Sequence, residues 1–158
     1  MTRRRYSTPE ESFLARTEPL PWSGCLLWTG GRTSAGYGAL SLGGGKKVLA
    51  HRYAWEREHG PIPEGMVIDH RYHCDKACVE PGHLRLATRA KNNQNRRGAH
   101  CTSVTGVRGV SPATNGGYLA QVGRKGEFAR KVFHDLEEAA DWVAQKRIEI
   151  FGEYAGGN

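Results

Sequence analysis

The feature that most constrains this chain is a run of metal-ligand side chains, in which Cys74, Cys78 and His83 fall within ten residues. The spacing Cys-x3-Cys-x4-His is typical of ligands to one zinc ion, and a closed tetrahedral site needs a fourth ligand. Cys25, on a predicted strand, is the best candidate for it. The alternatives are Cys101 and His73. The sequence therefore predicts a structural zinc site with Cys25, Cys74, Cys78 and His83 as ligands.

The composition agrees with a small protein that needs such support. The chain has 158 residues, of which 21 are glycine and 38% are hydrophobic, so its cores are modest. The first residues are basic, but no apolar segment follows them, so we expect no signal peptide and reduced cysteines. No run of about 18 apolar residues occurs, which excludes a membrane span. These observations predict a soluble protein of the cytoplasm.

Two units are predicted to follow one another along the chain. Residues 1–20 show no periodicity and are predicted to form a polar arm. The first unit, residues 21–98, is predicted to contain short antiparallel strands joined by glycine turns. Its later elements are predicted to be a helix over 50–59 that ends at Gly60, a strand over 67–70 and a helix over 88–97.

A linker over residues 99–104 is predicted to lead into a second unit, residues 105–158. Three strands are predicted there, over 107–110, 118–123 and 129–133. The helix that follows is predicted to start at Asp135 and to keep a 3.6-residue apolar period through Leu136, Ala139, Ala140, Val143, Ala144, Ile148 and Phe151. The predicted fold class is α+β.

The net charge of +7 and the pI of about 9.5 indicate a polyanionic partner. Between Arg108 and Lys131 there are five basic residues and one acidic residue, whereas residues 132–158 contain two basic and six acidic ones. A polyanion would therefore contact the first of these stretches and avoid the second. Scattered solubilising charge explains the acidic stretch well and the basic stretch less well.

A second polar group is separate from the cysteines. It consists of Asp69 and His70 at the end of a predicted strand and Asn92 on the following helix. Carboxylate and amide oxygens suit a hard divalent ion, and a neighbouring imidazole can accept a proton from water near neutral pH. By themselves these residues carry little weight, because an Asp-His pair is more often a surface pair and a helical Asn more often a cap.

Over residues 20–97 the chain resembles the phage-type HNH endonucleases, because several separated motifs occur in the same order as in that family. They are Cys25-Leu-Leu-Trp28, Gly36-Tyr37-Gly38, Ala50-His51-Arg52, Gly60-Pro-Ile-Pro-Glu-Gly65, Asp69-His70, Cys74, Cys78-Val-Glu-Pro-Gly-His83-Leu84 and Thr88 to Asn92.

The resemblance implies a ββα-metal unit, two strands and a helix around one catalytic divalent cation, Mg²⁺ or Mn²⁺. It further implies that Asp69 and Asn92 bind this ion and that His70 is the general base. His83 falls at the central position of the family motif, where the residue braces the loop, so it is predicted to be a brace, a zinc ligand or both. Glu80 stands where the family usually has Asn, and because a carboxylate cannot donate hydrogen bonds, the turn must be held differently.

The second unit resembles the APETALA2-type DNA-binding domain over about residues 104–155. The matching motifs are Thr105-Gly-Val-Arg-Gly-Val110, Tyr118-Leu-Ala-Gln-Val122, Lys131-Val-Phe133 and Glu137-Glu-Ala-Ala140. In that family a three-stranded antiparallel sheet enters the major groove. The resemblance therefore implies DNA contacts from Arg108, Gln121, Arg124, Lys125, Arg130 and Lys131.

These features predict a metal-dependent DNA endonuclease of the homing-endonuclease kind, which hydrolyses phosphodiester bonds to 5′-phosphate and 3′-hydroxyl ends. The expected partner is double-stranded DNA, with no membrane and no small-molecule substrate. We expect a monomer or weak dimer that is encoded by a phage or mobile element and acts in the host bacterial cytoplasm. The alternative is a non-catalytic, zinc-stabilised DNA-binding regulator, but a pure binder has no use for Asp69, His70 and Asn92 together.

Overall fold

The computed structural model describes residues 6–71, 74–96, 98–114, 116–124 and 126–156. It is a mixed α/β chain that divides into two compact units, Met1–Arg89 and Ala90–Asn158. The division follows Arg89, whereas the sequence predicted that the first unit ends at residue 98. Within the described ranges, no helix has both the length and the apolar composition needed to cross a membrane.

The first unit is built from short strands that pair as three separate antiparallel hairpins, β1–β2, β3–β4 and β5–β6. Its elements are α1 (Pro9–Leu14), β1 (Thr17–Leu20), β2 (Cys25–Trp28), β3 (Ala39–Gly43), β4 (Lys46–Leu49), α2 (Ala50–His59), β5 (Met66–His70) and β6 (Leu84–Thr88). Helix α2 has the predicted bounds, and Gly60, at φ 83°, ends it.

The prediction that residues 1–20 form a polar arm is wrong for the part that contains α1 and β1. Helix α1 begins with a capping box, in which the Thr8 side chain accepts from the Glu11 amide and the Glu11 side chain binds the Thr8 amide. Phe13 on this helix is 2% exposed and stacks on Trp28, with 5.9 Å between ring centroids. A single buried aromatic residue produces no apolar periodicity, so the sequence signal for this helix is the spacing of Thr8 and Glu11.

Trp28 is at the centre of the core of the first unit and is 1% exposed. Its indole Nε1 donates to the carbonyl of Gly31 over 2.9 Å. Gly30 and Gly38 lie against the indole ring, where a Cβ atom would be 2.5 and 2.6 Å from the nearest ring carbons. Both positions therefore require glycine for close approach. The other buried residues of this core are Phe13, Leu40, Ala50, Ala54, Ile68, Ala77, Val79 and Leu84.

The second unit combines one antiparallel sheet with a long helix. Its elements are α3 (Arg89–Gln94), which begins at the last residue of the first unit, then β7 (Val110–Pro112), β8 (Tyr118–Arg124), β9 (Glu127–Phe133) and α4 (Leu136–Phe151). The strands lie in the order β7–β8–β9. Helix α4 packs on one face of this sheet through a core of Val110, Ala120, Val122, Ala139 and Val143.

Helix α4 departs from its predicted apolar stripe in its last turns. Asp135 caps the helix by accepting two backbone hydrogen bonds, and Val143 is fully buried. Ile148, however, is 59% exposed, whereas the neighbouring Arg147 is 5% exposed. The prediction that Ile148 belongs to the buried stripe is therefore wrong. Arg147 is buried because its guanidinium binds backbone carbonyls within the second unit.

Candidate active site and metal centre

Three cysteines and one histidine meet in the first unit. The ligand atoms of Cys25, Cys74, Cys78 and His83 all lie within 4.8 Å of one another. The Nδ1 atom of His83 is 3.5 Å from the sulfur of Cys25 and 3.7 Å from that of Cys78. Three buried thiols with one imidazole are a donor set typical of structural zinc, so these side chains fit that ion. The sequence predicted these same four residues as zinc ligands.

Of the two alternative ligands, Cys101 is not a member of this cluster. Cys101 is exposed and belongs to the second unit, where its sulfur lies 3.7 Å from Nδ1 of His100. His73 lies outside the described residues.

The cluster forms because the loop that carries Cys74 and Cys78 pairs with strand β2. Backbone hydrogen bonds of 2.8 and 2.7 Å join this loop to β2 on the two sides of Cys78. Because Cys25 is the first residue of β2, this pairing brings it close to Cys74 and Cys78, which lie far from it in the sequence. Asp75 closes the loop by accepting a 2.7 Å hydrogen bond from the Ala77 amide.

His83 reaches the cluster from a 3₁₀ turn over Pro81–His83, directly before β6. Glu80 precedes this turn, and its Oε1 atom accepts from the Gly82 amide over 3.4 Å. The turn is thus held by an accepting carboxylate, where the family usually has an Asn.

The thiols of the cluster differ in acidity. The hydrogen bond from Cys74 lowers the pKa of Cys78 to about 5, with the Glu80 amide and His83 adding to the effect against the opposing burial. The same bond to Cys78, together with burial, raises the pKa of Cys74. These shifts favour the thiolate at Cys78, which is the form of the side chain that binds a metal cation.

His70 stands at the end of β5 with its ring orientation fixed. Its Nε2 atom is 2.9 Å from the carbonyl oxygen of Cys78. Because a carbonyl can only accept, Nε2 carries the hydrogen in the neutral ring, and Nδ1 carries the lone pair. In this tautomer, Nδ1 is the atom that can take a proton from water. The same bond joins His70 to the loop of the cysteine cluster.

Asp69 is buried in an ion pair that the sequence analysis did not find. It is 5% exposed, and its Oδ2 atom is 3.0 Å from Nε of Arg85, its register partner on β6. A buried carboxylate requires such a partner, since an isolated charge in the interior is costly. The pair holds the carboxylate in one orientation beside the strand end that carries His70. The periodicity of β6 gave no signal for a buried arginine.

His51 is another residue to which the sequence analysis gave no role. It lies on α2, 4% exposed, with its ring centroid 4.8 Å from that of His70 and 5.3 Å from that of Tyr37. Its Nδ1 atom has no hydrogen-bond partner among the described residues. Burial, aided by His70 and Arg52, lowers the pKa of His51 to about 3. His70 therefore has an uncharged neighbour at neutral pH.

Acid should destabilise the protein through His51. Its pKa of about 3 in the folded state lies below the ordinary 6.5, so between these values only the unfolded state binds the proton and stability falls as the pH falls. Replacing His51 with Phe should remove this effect. We expect the slope of unfolding free energy against pH to become shallower by about 1.4 kcal/mol per unit between about pH 6 and pH 4. Urea unfolding of both proteins at several pH values measures the slope, and equal slopes would contradict the assignment.

Asn92, the third predicted catalytic residue, lies on α3 and is half-buried. The predicted helix over residues 88–97 corresponds to α3, which is shorter at both ends. Asp69 and His70 belong to the first unit, at the end of β5, and Asn92 belongs to the second.

The predicted DNA-binding residues are divided between the two faces of the β7–β8–β9 sheet. Ala120 and Val122 point to the core under α4, so Gln121 between them lies on the opposite side, which we call the open face. Arg130 is the register partner of Gln121 and shares this face. The open face also carries Phe128 and Val132, which are 65% and 54% exposed.

The other predicted DNA contacts lie elsewhere. Arg124 forms a 2.9 Å ion pair with Glu127, and both side chains are about half exposed. By alternation Arg124 and Lys131 lie on the α4 side of the sheet, where Lys131 is nevertheless exposed with its ammonium over the ring of Phe133. Arg108 precedes β7, and its guanidinium binds backbone carbonyls. Lys125 lies outside the described residues.

Fold and site together define a class: a small α/β protein with a Cys₃His cluster and an oriented histidine at the end of a hairpin strand. Residues 48–94, which run from the end of β4 to the end of α3, match the family model of an HNH endonuclease. The match supports an HNH nuclease domain in this part of the chain.

Two phage proteins are similar to the chain. Protein 7.7 of Escherichia phage T7 is 41% identical over 71 residues, which cover 44% of this chain and 52% of that protein. An uncharacterized gene 5.3 protein of Enterobacteria phage T3 is 33% identical over 69 residues, or 40% of this chain and 67% of the relative. The chain spans about half the length of the first relative and two thirds of the second, and it belongs to one family with the second. No solved structure matches it significantly.

Proposed function

We propose that the protein is a metal-dependent DNA endonuclease, similar to HNH homing endonucleases, that leaves 5′-phosphate and 3′-hydroxyl ends. The observation that carries this proposal is the orientation of His70 within a domain that matches HNH endonucleases. Because Nε2 donates a hydrogen bond to the Cys78 carbonyl, the lone pair of the ring is on Nδ1, and this atom can accept a proton. The phage origin of both relatives supports a phage-encoded protein that acts in the host cytoplasm.

In this proposal His70 removes a proton from the water that attacks the phosphorus atom. Asp69 and Asn92 would hold Mg²⁺ or Mn²⁺, and an oriented carboxylate with an amide oxygen fits such a hard ion. When bound, a divalent ion stabilises the negative charge on the phosphate and on the departing 3′ oxygen. The uncharged ring of His51, packed against His70, keeps a second positive charge away from the base.

Zinc has a separate, structural role in this proposal. The cluster of Cys25, Cys74, Cys78 and His83 ties the loop 74–83 to strand β2. Because the Cys78 carbonyl orients His70, the zinc site also fixes the position of the general base. The proposal therefore gives His83 the roles of brace and ligand at once.

The direct test is cleavage of supercoiled plasmid by the full chain with Mg²⁺ or Mn²⁺, with EDTA as the control. We expect nicked or linear product with the metal and none with EDTA. DNA binding without cleavage at any metal concentration would instead support a zinc-stabilised DNA-binding regulator. End-labelling of the product distinguishes 5′-phosphate from 5′-hydroxyl ends. Sedimentation of the protein with duplex tests the expected monomer or weak dimer.

We also propose that the second unit binds double-stranded DNA through the open face, in the manner of an APETALA2-type domain. The excess of basic residues between Arg108 and Lys131 supports this. Gln121 and Arg130 form a polar pair at the centre of the face, and the exposed ring of Phe128 offers an apolar contact. Arg124, which is paired with Glu127, contributes less in this arrangement.

Charge reversal on the open face should weaken DNA binding. In Arg130→Glu we expect lower affinity for duplex DNA and a salt dependence that is smaller by about one unit of log–log slope, because one phosphate contact is lost. Lys146→Glu, a reversal on α4, is the matched control and should change neither value appreciably. Titration of labelled duplex at several salt concentrations measures both, and equal losses in the two variants would mean that the open face does not bind DNA.

A further inference from the structure

We propose that Arg108 and Arg147 are positioning residues that hold helix α3, and with it Asn92, on the sheet and long helix of the second unit. The role of Asn92 rests on the proposed nuclease function, whereas the ordering of α3 does not. In this view the C-terminal sheet and helix order the helix that carries Asn92, in addition to any part they take in DNA binding.

Helix α3 is poorly suited to stand alone. It has six residues, Arg-Ala-Lys-Asn-Asn-Gln, and none of them is buried. A helix of this length is unstable in water by itself, because too few hydrogen bonds offset the cost of nucleation. It also has no apolar face that packing could stabilise. Its order must come from polar contacts with other elements.

Arg108 supplies the first of these contacts. Its guanidinium donates to the carbonyl of Asn93 over 2.9 Å and also to the carbonyl of Arg96. The last carbonyls of a helix have no partner within it, so a two-pronged arginine is well suited to satisfy them. Burial and the charge of Arg96 lower the pKa of Arg108, which agrees with its enclosed position.

Arg147, which lies on α4, supplies the second contact. One guanidinium nitrogen donates to the carbonyl of Gln94 over 2.6 Å and to the carbonyl of Ala155. The side chain is 5% exposed, and its Nε atom finds no acceptor among the described residues. Burial and Arg108 lower the pKa of Arg147 to about 10, so it remains charged at neutral pH. A buried cation without a carboxylate partner in the described chain is costly, which indicates a specific role for these bonds.

The chain after α4 adds a third support. Lys91 places its ammonium 4.9 Å from the ring centre of Tyr154. Gly156, at φ 62°, lies so near the end of α3 that a Cβ there would be 2.9 Å from the carbonyl oxygens of Asn95 and Arg96. The segment after α4 therefore packs closely against the turn that follows Asn92.

These contacts connect Asn92 to residues far away in sequence. Asn92 is adjacent to Asn93, whose carbonyl Arg108 holds, and the bond from Arg147 to Gln94 spans 53 residues. A change in either arginine should therefore loosen α3 and weaken metal binding at Asn92, without touching DNA or the metal.

The test uses the full chain with Arg147→Met, which keeps the aliphatic stem and removes the charge and donors, and with Lys146→Met as the matched control on α4. The Asn95 amide, bonded to the Lys91 carbonyl at 3.0 Å, reports on α3, and the Ala139 amide reports on α4. In Arg147→Met we expect amide exchange at Asn95 to be faster by about tenfold or more, with little change at Ala139. Lys146→Met should leave both rates unchanged.

Binding of Mn²⁺, followed by electron paramagnetic resonance of the free ion, gives the second measurement. Arg147→Met should raise the dissociation constant about tenfold, and adding it to Asn92→Ala should weaken binding no further than Asn92→Ala alone. If Arg147→Met does not fold, Arg108→Met replaces it in both measurements.

Three results would each overturn the proposal. The first is unchanged amide exchange at Asn95 in a folded arginine variant, and the second is an equal loss of Mn²⁺ affinity in Lys146→Met. The third is a loss of exchange protection throughout the second unit in both arginine variants. Failure of the nuclease proposal looks different. In that case the unaltered protein cleaves no plasmid, while Asn95 exchange in Arg147→Met still increases and supports the ordering of α3.

Discussion

Replacement of Cys78 by serine is expected to release zinc and strongly destabilise the first unit. Cys78 is fully buried, and its sulfur lies within 4.8 Å of the other three ligand atoms. Serine offers a neutral hydroxyl in place of a thiolate, which is a much poorer zinc ligand. Structural zinc contributes to folding directly, with an apparent binding free energy on the order of 10 kcal/mol in zinc peptides. Thermal unfolding by circular dichroism and elemental analysis of the same sample measure both effects.

Cys101→Ser is the matched control, because this cysteine is exposed and stands outside the cluster. It should keep one zinc per chain and the unfolding temperature of the unaltered protein. Folded, purified protein that contains no zinc would contradict the proposed site. Zinc that is kept in Cys25→Ser but lost in Cys101→Ser would instead change the ligand set.

The sequence was sufficient for the parts of the structure that depend on local chemistry. Close spacing of ligands predicted the metal cluster, since three of its members lie on one loop and the next turn. Helix α2 could be bounded because Gly60 adopts the positive φ that ends a helix. The start of α4 could be predicted because the side chain of Asp135 accepts hydrogen bonds from the first backbone amides of the helix. Apart from Cys25, the residues that determine these features lie within a few positions of one another.

The buried arginines that the sequence did not predict depend on distant partners. Arg85 pairs with Asp69 across the β5–β6 hairpin, and Arg147 binds carbonyls of α3 and of the segment after α4. Backbone carbonyls occur at every residue, so no side chain in the sequence marks where a buried arginine will find them. Periodicity assigns a charged residue to the surface, which is why Ile148 was placed in the core and Arg147 was not.

The same reasoning explains the division of the predicted DNA-binding residues. Charge counting identifies a basic stretch, but it cannot tell which face of a strand each residue occupies or which cation already has a partner. Gln121 and Arg130 share the open face, whereas Arg108 is engaged with α3 and Arg124 with Glu127. The strand register in the structure shows which residues share the open face. The hydrogen bonds of Arg108 and the ion pair of Arg124 show which cations already have partners.

His70 has one observed contact and one proposed role, and its test has to separate them. Its Nε2 atom anchors the ring to the Cys78 carbonyl, while Nδ1 is the proposed base. His70→Ala removes both, so a loss of activity there could arise from a disturbed zinc loop. Glutamine places an amide nitrogen at roughly the position of Nε2 and can still donate to the carbonyl, but it has no basic nitrogen. His70→Gln is therefore the more specific variant.

In His70→Gln, as in His70→Ala, we expect plasmid cleavage to slow by about 10²–10⁴-fold, because general base catalysis acts in the transition state and contributes little to ground-state binding. DNA affinity, titrated in EDTA, and zinc content should match those of the unaltered protein. His134→Gln, a change of an exposed histidine, is the control and should cleave normally. Single-turnover rates from about pH 6 to pH 8 provide the measurement. Near-normal cleavage by His70→Gln throughout that range would remove His70 from the mechanism, and loss of zinc from this variant would leave the anchor to Cys78 as its role.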